Sequence, residues 1–248
     1  MADPMRPAAP PTPRAETGAP SVVFDAGLRS YMLAIYNYMA SGVLLSGVVA
    51  LLVASNVAIR SVFFGASGAP TLLGWIAVFA PLVLVFVLGF GINRLSESNA
   101  KALFWAYAAL MGISLSTVLL AYTGVSVART FFVSAAAFAA LSLWGYTTKK
   151  DLSGFGTFLI MALVGLLIAM LVNLFLRSST MDLIVSAIGV LLFAGLTAYD
   201  TQRLKGLYFE VGPDVSRGKV VVMGALTLYL DFINLFLFLL RFMGDRRQ

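Results

Sequence analysis

The sequence predicts an all-α polytopic membrane protein with seven transmembrane helices. Of its 248 residues, 60% are hydrophobic and only 11% are charged, and the mean hydropathy is +0.93. Because a soluble domain carries roughly 25% charged residues, this chain has too little polar surface for water. Apolar stretches of about 20 residues, the length that crosses a bilayer, also recur along nearly the whole chain.

Seven apolar segments define the predicted helices, and together they form a single transmembrane domain over residues 29–248. The segments are residues 33–54, 72–92, 102–122, 127–147, 155–176, 182–202 and 220–241. The second contains a proline that we expect to kink the helix, at Pro81. Aromatic residues typical of the membrane interface lie near segment ends, at Trp75, Trp105, Tyr122, Trp144 and Tyr146. Small residues at helical spacing, such as Gly42 with Ser46, allow helices to approach closely.

Residues 1–28 differ in composition from the rest of the chain. They hold six of the nine prolines, Pro4, Pro7, Pro10, Pro11, Pro13 and Pro20, among Ala, Thr and Arg. Such a segment cannot bury a core, so we predict a flexible cytoplasmic tail. It lacks the apolar stretch and cleavage site of a signal peptide, and we therefore expect it to be retained.

The distribution of basic residues predicts the orientation. With a cytoplasmic N-terminus, eleven of the 17 Lys and Arg residues lie inside and six outside, as the positive-inside rule favours. A re-entrant last segment would move Arg241, Arg246 and Arg247 inside and make the split fourteen to three. Residues 220–241 are nevertheless long enough to cross, which favours seven full spans. The net charge of +6 is thus explained by basic residues that set the membrane orientation and contact anionic lipid headgroups, and we expect no nucleic-acid partner.

Two residue types are missing from the sequence, which contains neither Cys nor His. This excludes disulfides, thiol nucleophiles, His-ligated zinc and Ser-His catalysis. It also removes the side chain that ordinarily titrates near neutrality. A response to pH in that range must therefore come from carboxylates in an unusual environment.

Two carboxylates lie inside apolar segments. Asp200 is near the cytoplasmic end of the sixth segment, and Asp231 is close to the middle of the seventh. A charged Asp at mid-helix costs about 2.5–3.5 kcal/mol on insertion scales, so such residues normally face a bundle interior and mark ion or proton paths. Two alternatives stay open: Asp200 could snorkel at a helix end, and Asp231 could be a structural acid satisfied by Asn234 or Tyr229.

We consider next whether the two aspartates form a pair. Two acids that share a site cannot both ionise freely and titrate as a unit, which offers a histidine-free protein a route to pH sensing. On straight helices their depths differ by roughly 13 Å, so they meet only if the sixth helix continues past Arg203 or the seventh begins later. Arg94, after the second segment, is a candidate to hold Asp200 ionised; its alternative role is a positive-inside anchor.

Four short motifs resemble one known family. Ala-Tyr-Asp-Thr-Gln at 198–202 and Leu-Tyr-Leu-Asp-Phe-Ile-Asn-Leu-Phe at 228–236 look like the signature of the Bax inhibitor-1 (YccA-type, TMBIM) family. Tyr-Asn-Tyr-Met at 36–39 and Ile-Asn-Arg-Leu-Ser at 92–96 fit the same pattern. The resemblance covers about residues 28–243 and leaves out the Pro-rich tail.

This resemblance implies a multi-pass protein of the bacterial inner (plasma) membrane, a seven-helix bundle with the last helix central. In the family, two aspartates share protons, their protonation gates a calcium leak, and an arginine of the second span latches the first aspartate. Matched by position, Asp200 and Asp231 are the ion-pathway, pH-sensing and transient Ca²⁺ residues. Arg94, Tyr199 and Asn234 are the latch or support. No cofactor is expected beyond Ca²⁺ as a permeant or bound ion.

The leading hypothesis is therefore a pH-sensitive calcium channel or leak, and not an enzyme. Bacterial members are also linked to a membrane-bound AAA protease, so a regulator that acts through such a partner is the alternative. A di-aspartyl intramembrane protease fits poorly, since that chemistry uses a Gly-x-Gly-Asp motif, whereas Leu228, Tyr229 and Leu230 precede Asp231. A retinal pigment needs a mid-span lysine, and Lys219 lies only at the edge of the seventh segment.

Overall fold

The computed structural model describes residues 20–65, 68–92, 94–210 and 217–247, and within these ranges it is built from α-helices. The helices are α1 (Pro20–Ser55), α2 (Val57–Phe63), α3 (Leu72–Gly91), α4 (Glu97–Ala121), α5 (Gly124–Thr147), α6 (Ser153–Leu176), α7 (Ser179–Glu210) and α8 (Arg217–Met243). All except the seven-residue α2 are long and apolar enough to cross a membrane. The predicted seven-span, all-α architecture is confirmed.

The first helix begins earlier than the sequence predicts. α1 starts at Pro20, so residues 20–28, assigned above to the tail, belong to the first helix. Proline is favoured in the first turn of a helix, where its missing N–H costs nothing, so the last proline of the tail is compatible with a helix start. The remaining tail, residues 1–19, lies outside the described residues.

The last helix is the centre of the bundle. α8 packs against α1, α4, α5 and α7, and Leu228, Tyr229, Leu235 and Leu240 are almost completely buried. α3 and α6 lie at the periphery: α3 packs mainly on α4, and α6 on α7. The predicted central position of the last helix therefore agrees with the packing.

α8 crosses the full bundle. At its start, Gly218 lies against the carboxylate of Glu97, in the first turn of α4. After its end, the N–H of Arg247 donates to the carbonyl of Ala121, the last residue of α4 (2.9 Å). Since α8 therefore begins and ends beside the same ends of the membrane-spanning α4, the re-entrant alternative for the last segment is wrong.

The sixth span is longer than hydropathy predicts. α7 continues to Glu210, eight residues past the predicted end at 202. The apolar stretch stops at Arg203, but Arg, Leu, Lys and Glu are good helix formers, and they supply five of the eight residues that prolong the helix. Lys205 stabilises this extension by donating from Nζ to the carbonyl of Tyr146 on α5 (2.9 Å).

Candidate functional site

The structure brings Asp200 and Asp231 together. Asp200 lies ten residues before the end of α7 and Asp231 fourteen residues after the start of α8, so their levels differ by only about 6 Å. Both side chains are buried, with 8% and 4% of their surface exposed, and each carboxyl group lies within hydrogen-bonding reach of the other. The extension of α7 past Arg203 satisfies the condition for their meeting.

The two carboxyl groups have unequal surroundings. Oδ1 of Asp200 is 4.0 Å from Nη1 of Arg203, whose side chain is 60% exposed. Oδ2 of Asp231 is buried and has no hydrogen-bond partner among the described residues. Because a carboxylate only accepts hydrogen bonds, one between two carboxyl groups requires a proton on one of them. The geometry therefore allows the pair to share a proton, and among the described residues the cation recorded beside it is Arg203.

The side chains that could have satisfied Asp231 bond elsewhere. Asn234 donates from Nδ2 to the carbonyl of Leu230 within α8 (2.8 Å), and the hydroxyl of Tyr229 bonds to Ser46 of α1 (2.7 Å). The alternative in which Asn234 or Tyr229 satisfies the buried carboxyl group of Asp231 therefore does not agree with these hydrogen bonds. Asn234 contributes to the helix, and its supporting role toward Asp231 stays a prediction.

Tyr199 lies against α6 instead of the carboxyl pair. A Cβ added at Gly156 would overlap the Tyr199 ring, so that glycine permits the close contact between α6 and α7. A Cβ at Gly145 of α5 would likewise overlap the backbone carbonyl of Ala198, the residue directly before Tyr199. Two glycines thus fix α7 between α5 and α6 at the level of Asp200.

Arg94 lies in the connection between α3 and α4 and is exposed. Its backbone N–H donates to the carbonyl of Gly91, while the ion pair of Asp200 is with Arg203. The structure therefore does not bring Arg94 to Asp200, and the arginine latch stays a prediction. Arg203 was missed because it was counted only as a topology signal, although its i+3 spacing from Asp200 places both on one helix face.

A chain of hydroxyl groups reaches the residue beside Asp200, and the sequence did not reveal it. The hydroxyl of Tyr36 on α1 lies 2.6 Å from Oγ of Ser142 on α5. Ser142 Oγ in turn lies 2.8 Å from Oγ1 of Thr201 on α7. These contacts join residues 106 and 59 positions apart, so no local pattern in the sequence could have predicted them.

A second buried network holds Tyr229, two residues before Asp231 on α8. Ser46 bonds to the hydroxyl of Tyr229 and donates to the carbonyl of Ala108 on α4 (2.6 Å). The ring of Tyr229 also meets the ring of Phe104 edge-on, and a Cβ at Gly42 would overlap Phe104. α8 is therefore attached to α1 and α4 directly next to the buried acid.

The end of α7 is tied to the connection between α5 and α6. Gln202 donates from Nε2 to the carbonyl of Lys150 (2.7 Å) and accepts from the N–H of Leu152 (2.9 Å). In the same connection, Asp151 accepts from the N–H and hydroxyl of Ser153, and these hydrogen bonds lower the pKa of its carboxyl below the ordinary value. Asp151 therefore acts as an exposed anchor at the start of α6.

These features define a polytopic α-helical membrane protein with a buried carboxyl pair between its last two helices. The family model described as "Inhibitor of apoptosis-promoting Bax1" matches residues 28–248. The chain belongs to the Bax inhibitor-1 family, as the motifs around Asp200 and Asp231 predicted. Within the described residues no three His, Cys, Asp or Glu side chains cluster as a metal site.

Three curated relatives are similar over most of their length. An uncharacterized protein of Rickettsia prowazekii is 49% identical over 234 residues, which cover 94% of this chain and 96% of that protein. An uncharacterized protein of Caulobacter vibrioides is 48% identical over 229 residues, covering 90% and 92%. The inner membrane protein YbhL of Escherichia coli is 48% identical over 224 residues, covering 90% and 94%.

Proposed function

We propose that this protein is a pH-sensitive, calcium-permeable leak of the bacterial inner membrane, gated by the protonation state of Asp200 and Asp231. The observation that carries the proposal is the buried carboxyl pair, with one oxygen of Asp231 left without a partner among the described residues. Intramembrane carboxylates of this kind mark ion and proton paths. We propose no catalytic role, and the matched family is not known as a family of enzymes.

The pair supplies a physical basis for gating. While the two carboxyl groups share a proton, their hydrogen bond joins α7 to α8. Without that proton, two unit charges 4 Å apart repel by about 4 kcal/mol at an effective dielectric constant of 20. Since about 5.5 kcal/mol converts a 1:99 population into 99:1, this repulsion is large enough to shift the arrangement of the two helices strongly.

Calcium fits the pair as a passing ion. Ca²⁺ prefers oxygen ligands and takes six to eight of them. Asp200 and Asp231 together offer at most four carboxylate oxygens. We therefore propose a transient contact in which the ion keeps other oxygen ligands, with no resident cofactor. The protein would lie with its N-terminus in the cytoplasm, as the distribution of its basic residues favours.

Calcium flux into dye-loaded proteoliposomes tests the proposal. We expect the wild-type flux to change with pH, and Asp200→Asn and Asp231→Asn to abolish this pH dependence. Asp182→Asn is the matched control, because Asp182 is a partly exposed residue paired with Arg246 at the far end of the bundle (3.8 Å). The control should retain the wild-type rate and profile.

The proposal fails if both buried-site variants keep the wild-type flux and pH profile. If those variants also retain co-purification with a membrane-bound AAA protease, the partner-dependent regulator would replace the leak. Cleavage of a model transmembrane substrate that is lost in Asp231→Ala would instead support the di-aspartyl protease.

A further inference from the structure

A groove of about 850 Å³ lies between α1 and α5, on the side of the bundle where α1 begins. Met32 and Leu33 form one wall, and Phe138, Ala139 and Leu143 form the other. Its size lies within the roughly 300–1,000 Å³ of typical ligand pockets. Both helices pack against α7 and α8, so the groove runs over the two helices that carry the aspartates.

A second apolar groove of about 320 Å³ follows the same two helices and is lined by Val43 and Gly47 of α1 and Phe131 of α5, among others. The two grooves together follow α1 and α5 over most of their length. Both grooves are lined mainly by apolar side chains, as the binding of a hydrocarbon chain requires.

The mouth of the larger groove carries positive charge. Arg29 lines it and is exposed. Lys149 and Lys150 follow the end of the α5 wall and are also exposed. The nearby carboxylate, Asp151, already accepts two hydrogen bonds from Ser153. An anionic group at this mouth would therefore meet an exposed guanidinium, with two exposed lysines nearby.

The surrounding medium restricts the occupant. Leu33 and Leu143, at the edges of the groove, are 49% and 63% exposed on membrane-spanning helices, so the groove opens sideways toward lipid. An occupant with an anionic head at Arg29 and a hydrocarbon chain between the walls has the chemistry of a phospholipid. Anionic lipids and basic residues attract each other at the cytoplasmic surface of membranes, and guanidinium groups bind phosphate in a bidentate manner.

The groove is also connected to the candidate site. Tyr36 lines it and begins the hydrogen-bonded chain through Ser142 to Thr201, the residue after Asp200. A molecule in the groove would therefore contact the side chains that connect α1 and α5 to α7.

We propose that the groove between α1 and α5 is a binding site for an anionic phospholipid. Its phosphate pairs with Arg29, and one acyl chain lies between Leu33 and Ala139. Lipid binding in this groove does not require that the protein conducts calcium.

Native mass spectrometry of the full-length protein in detergent tests this site by titration with phosphatidylglycerol and phosphatidylcholine of identical acyl chains. We expect wild-type protein to bind phosphatidylglycerol roughly tenfold more tightly, because the choline ammonium of phosphatidylcholine offsets the charge of its phosphate near Arg29. Arg29→Gln should remove this preference by weakening the binding of phosphatidylglycerol more than that of phosphatidylcholine. Arg177→Gln, at the exposed end of α6, is the matched control and should behave as wild type.

A second variant tests the acyl-chain position. Ala139 is exposed toward the groove, so Ala139→Trp fills it without disturbing the packed core and should weaken the binding of both lipids at least tenfold. Leu171→Trp, on the lipid-facing side of α6, is its control and should have no effect. Unchanged thermal unfolding of all four variants would show that they are folded.

Several outcomes would overturn the proposal. Equal affinity of wild-type protein for the two lipids would do so, as would a lipid preference that survives Arg29→Gln. If deletion of residues 1–19 were needed before lipid could bind, the occupant would be that segment of the chain. If Ala139→Trp dissociated a lipid-free dimer, the occupant would be a second copy.

Discussion

α6 and α8 are both membrane-spanning helices, but they are built in opposite ways. α6 is the more apolar of the two, yet only 11% of the residues in its most apolar stretch are buried within the protein. The corresponding fraction is 61% in α8, which contains Asp231 and Tyr229. The helix that faces lipid is thus the more hydrophobic, and the central helix carries the polar groups.

The reason is that lipid removes the usual hydrophobic driving force between helices. Tails of the bilayer are as apolar as Leu, so α6 gains little by turning its leucines inward. α8 is held instead by close packing at small residues, by hydrogen bonds such as Tyr229 to Ser46, and by its buried acid. Polarity in this bundle therefore indicates the centre, whereas in a soluble protein it indicates the surface.

The largest effect, on the free energy of membrane insertion, is expected when a carboxylate is placed on the peripheral helix instead of the central one. Leu167 of α6 is 56% exposed to lipid, and we expect Leu167→Asp to raise the apparent insertion free energy of the α6 segment by about 3–4 kcal/mol, the difference between the Asp and Leu values on the insertion scale. Asp231→Leu should lower that of α8 by a similar amount. Translocon insertion assays with flanking glycosylation sites measure both, with Leu167→Val as control. Equal insertion of Leu167→Asp and native α6 would remove the contrast between the two helices.

An intermediate effect, on the free energy of unfolding, is expected when glycines in the two environments are replaced by alanine. Gly145 faces the backbone of Ala198 on α7, whereas Gly165 of α6 has open space around it. Gly145→Ala should destabilise the protein by about 1–3 kcal/mol through overpacking. Gly165→Ala should be neutral or stabilising by up to roughly 1 kcal/mol, because Ala favours the helix. The free energy of unfolding, measured with denaturant in detergent micelles, distinguishes the two variants. Equal values for both would show that α5 and α7 can move apart to accommodate a methyl group at Gly145.

The smallest effect concerns the hydrogen bond between Ser46 and Tyr229. A double-mutant cycle of Ser46→Ala and Tyr229→Phe should give a coupling energy of about 0.6 kcal/mol and no more than about 1.7 kcal/mol, the range measured within membrane proteins. The same unfolding measurement yields this value. Ser41→Ala is a suitable control, since the hydroxyl of Ser41 donates to the carbonyl of Tyr38 in its own helix. Coupling close to zero would mean that packing alone holds α8 in place.

Much of the fold followed from hydropathy. The seven segments were located correctly because crossing a bilayer demands about 20 apolar residues, and this demand is local. Helix ends were less accurate, since α1 begins at Pro20 and α7 ends at Glu210, both beyond the apolar stretches. Helix propensity and tertiary hydrogen bonds, such as Lys205 to Tyr146, set those ends.

The candidate site was predicted only in part. Asp200 and Asp231 were found because an acid in an apolar segment is costly and therefore conspicuous. Arg203 was available from its spacing to Asp200, whereas Tyr36 and Ser142 were not, since they reach Thr201 across different helices. Arg94 was assigned from its position at a helix end, which says nothing about the direction of its side chain.

The sequence by itself determined that this protein spans the membrane seven times and that two acids lie within its helices. Both conclusions follow from transfer free energies, which belong to individual residues and add along the chain. Only the tertiary structure decided that the acids face each other, because their meeting depends on the length of α7 past Arg203 and on the contacts that fix α7 beside α8. It likewise decided that a groove with Arg29 at its mouth opens between α1 and α5.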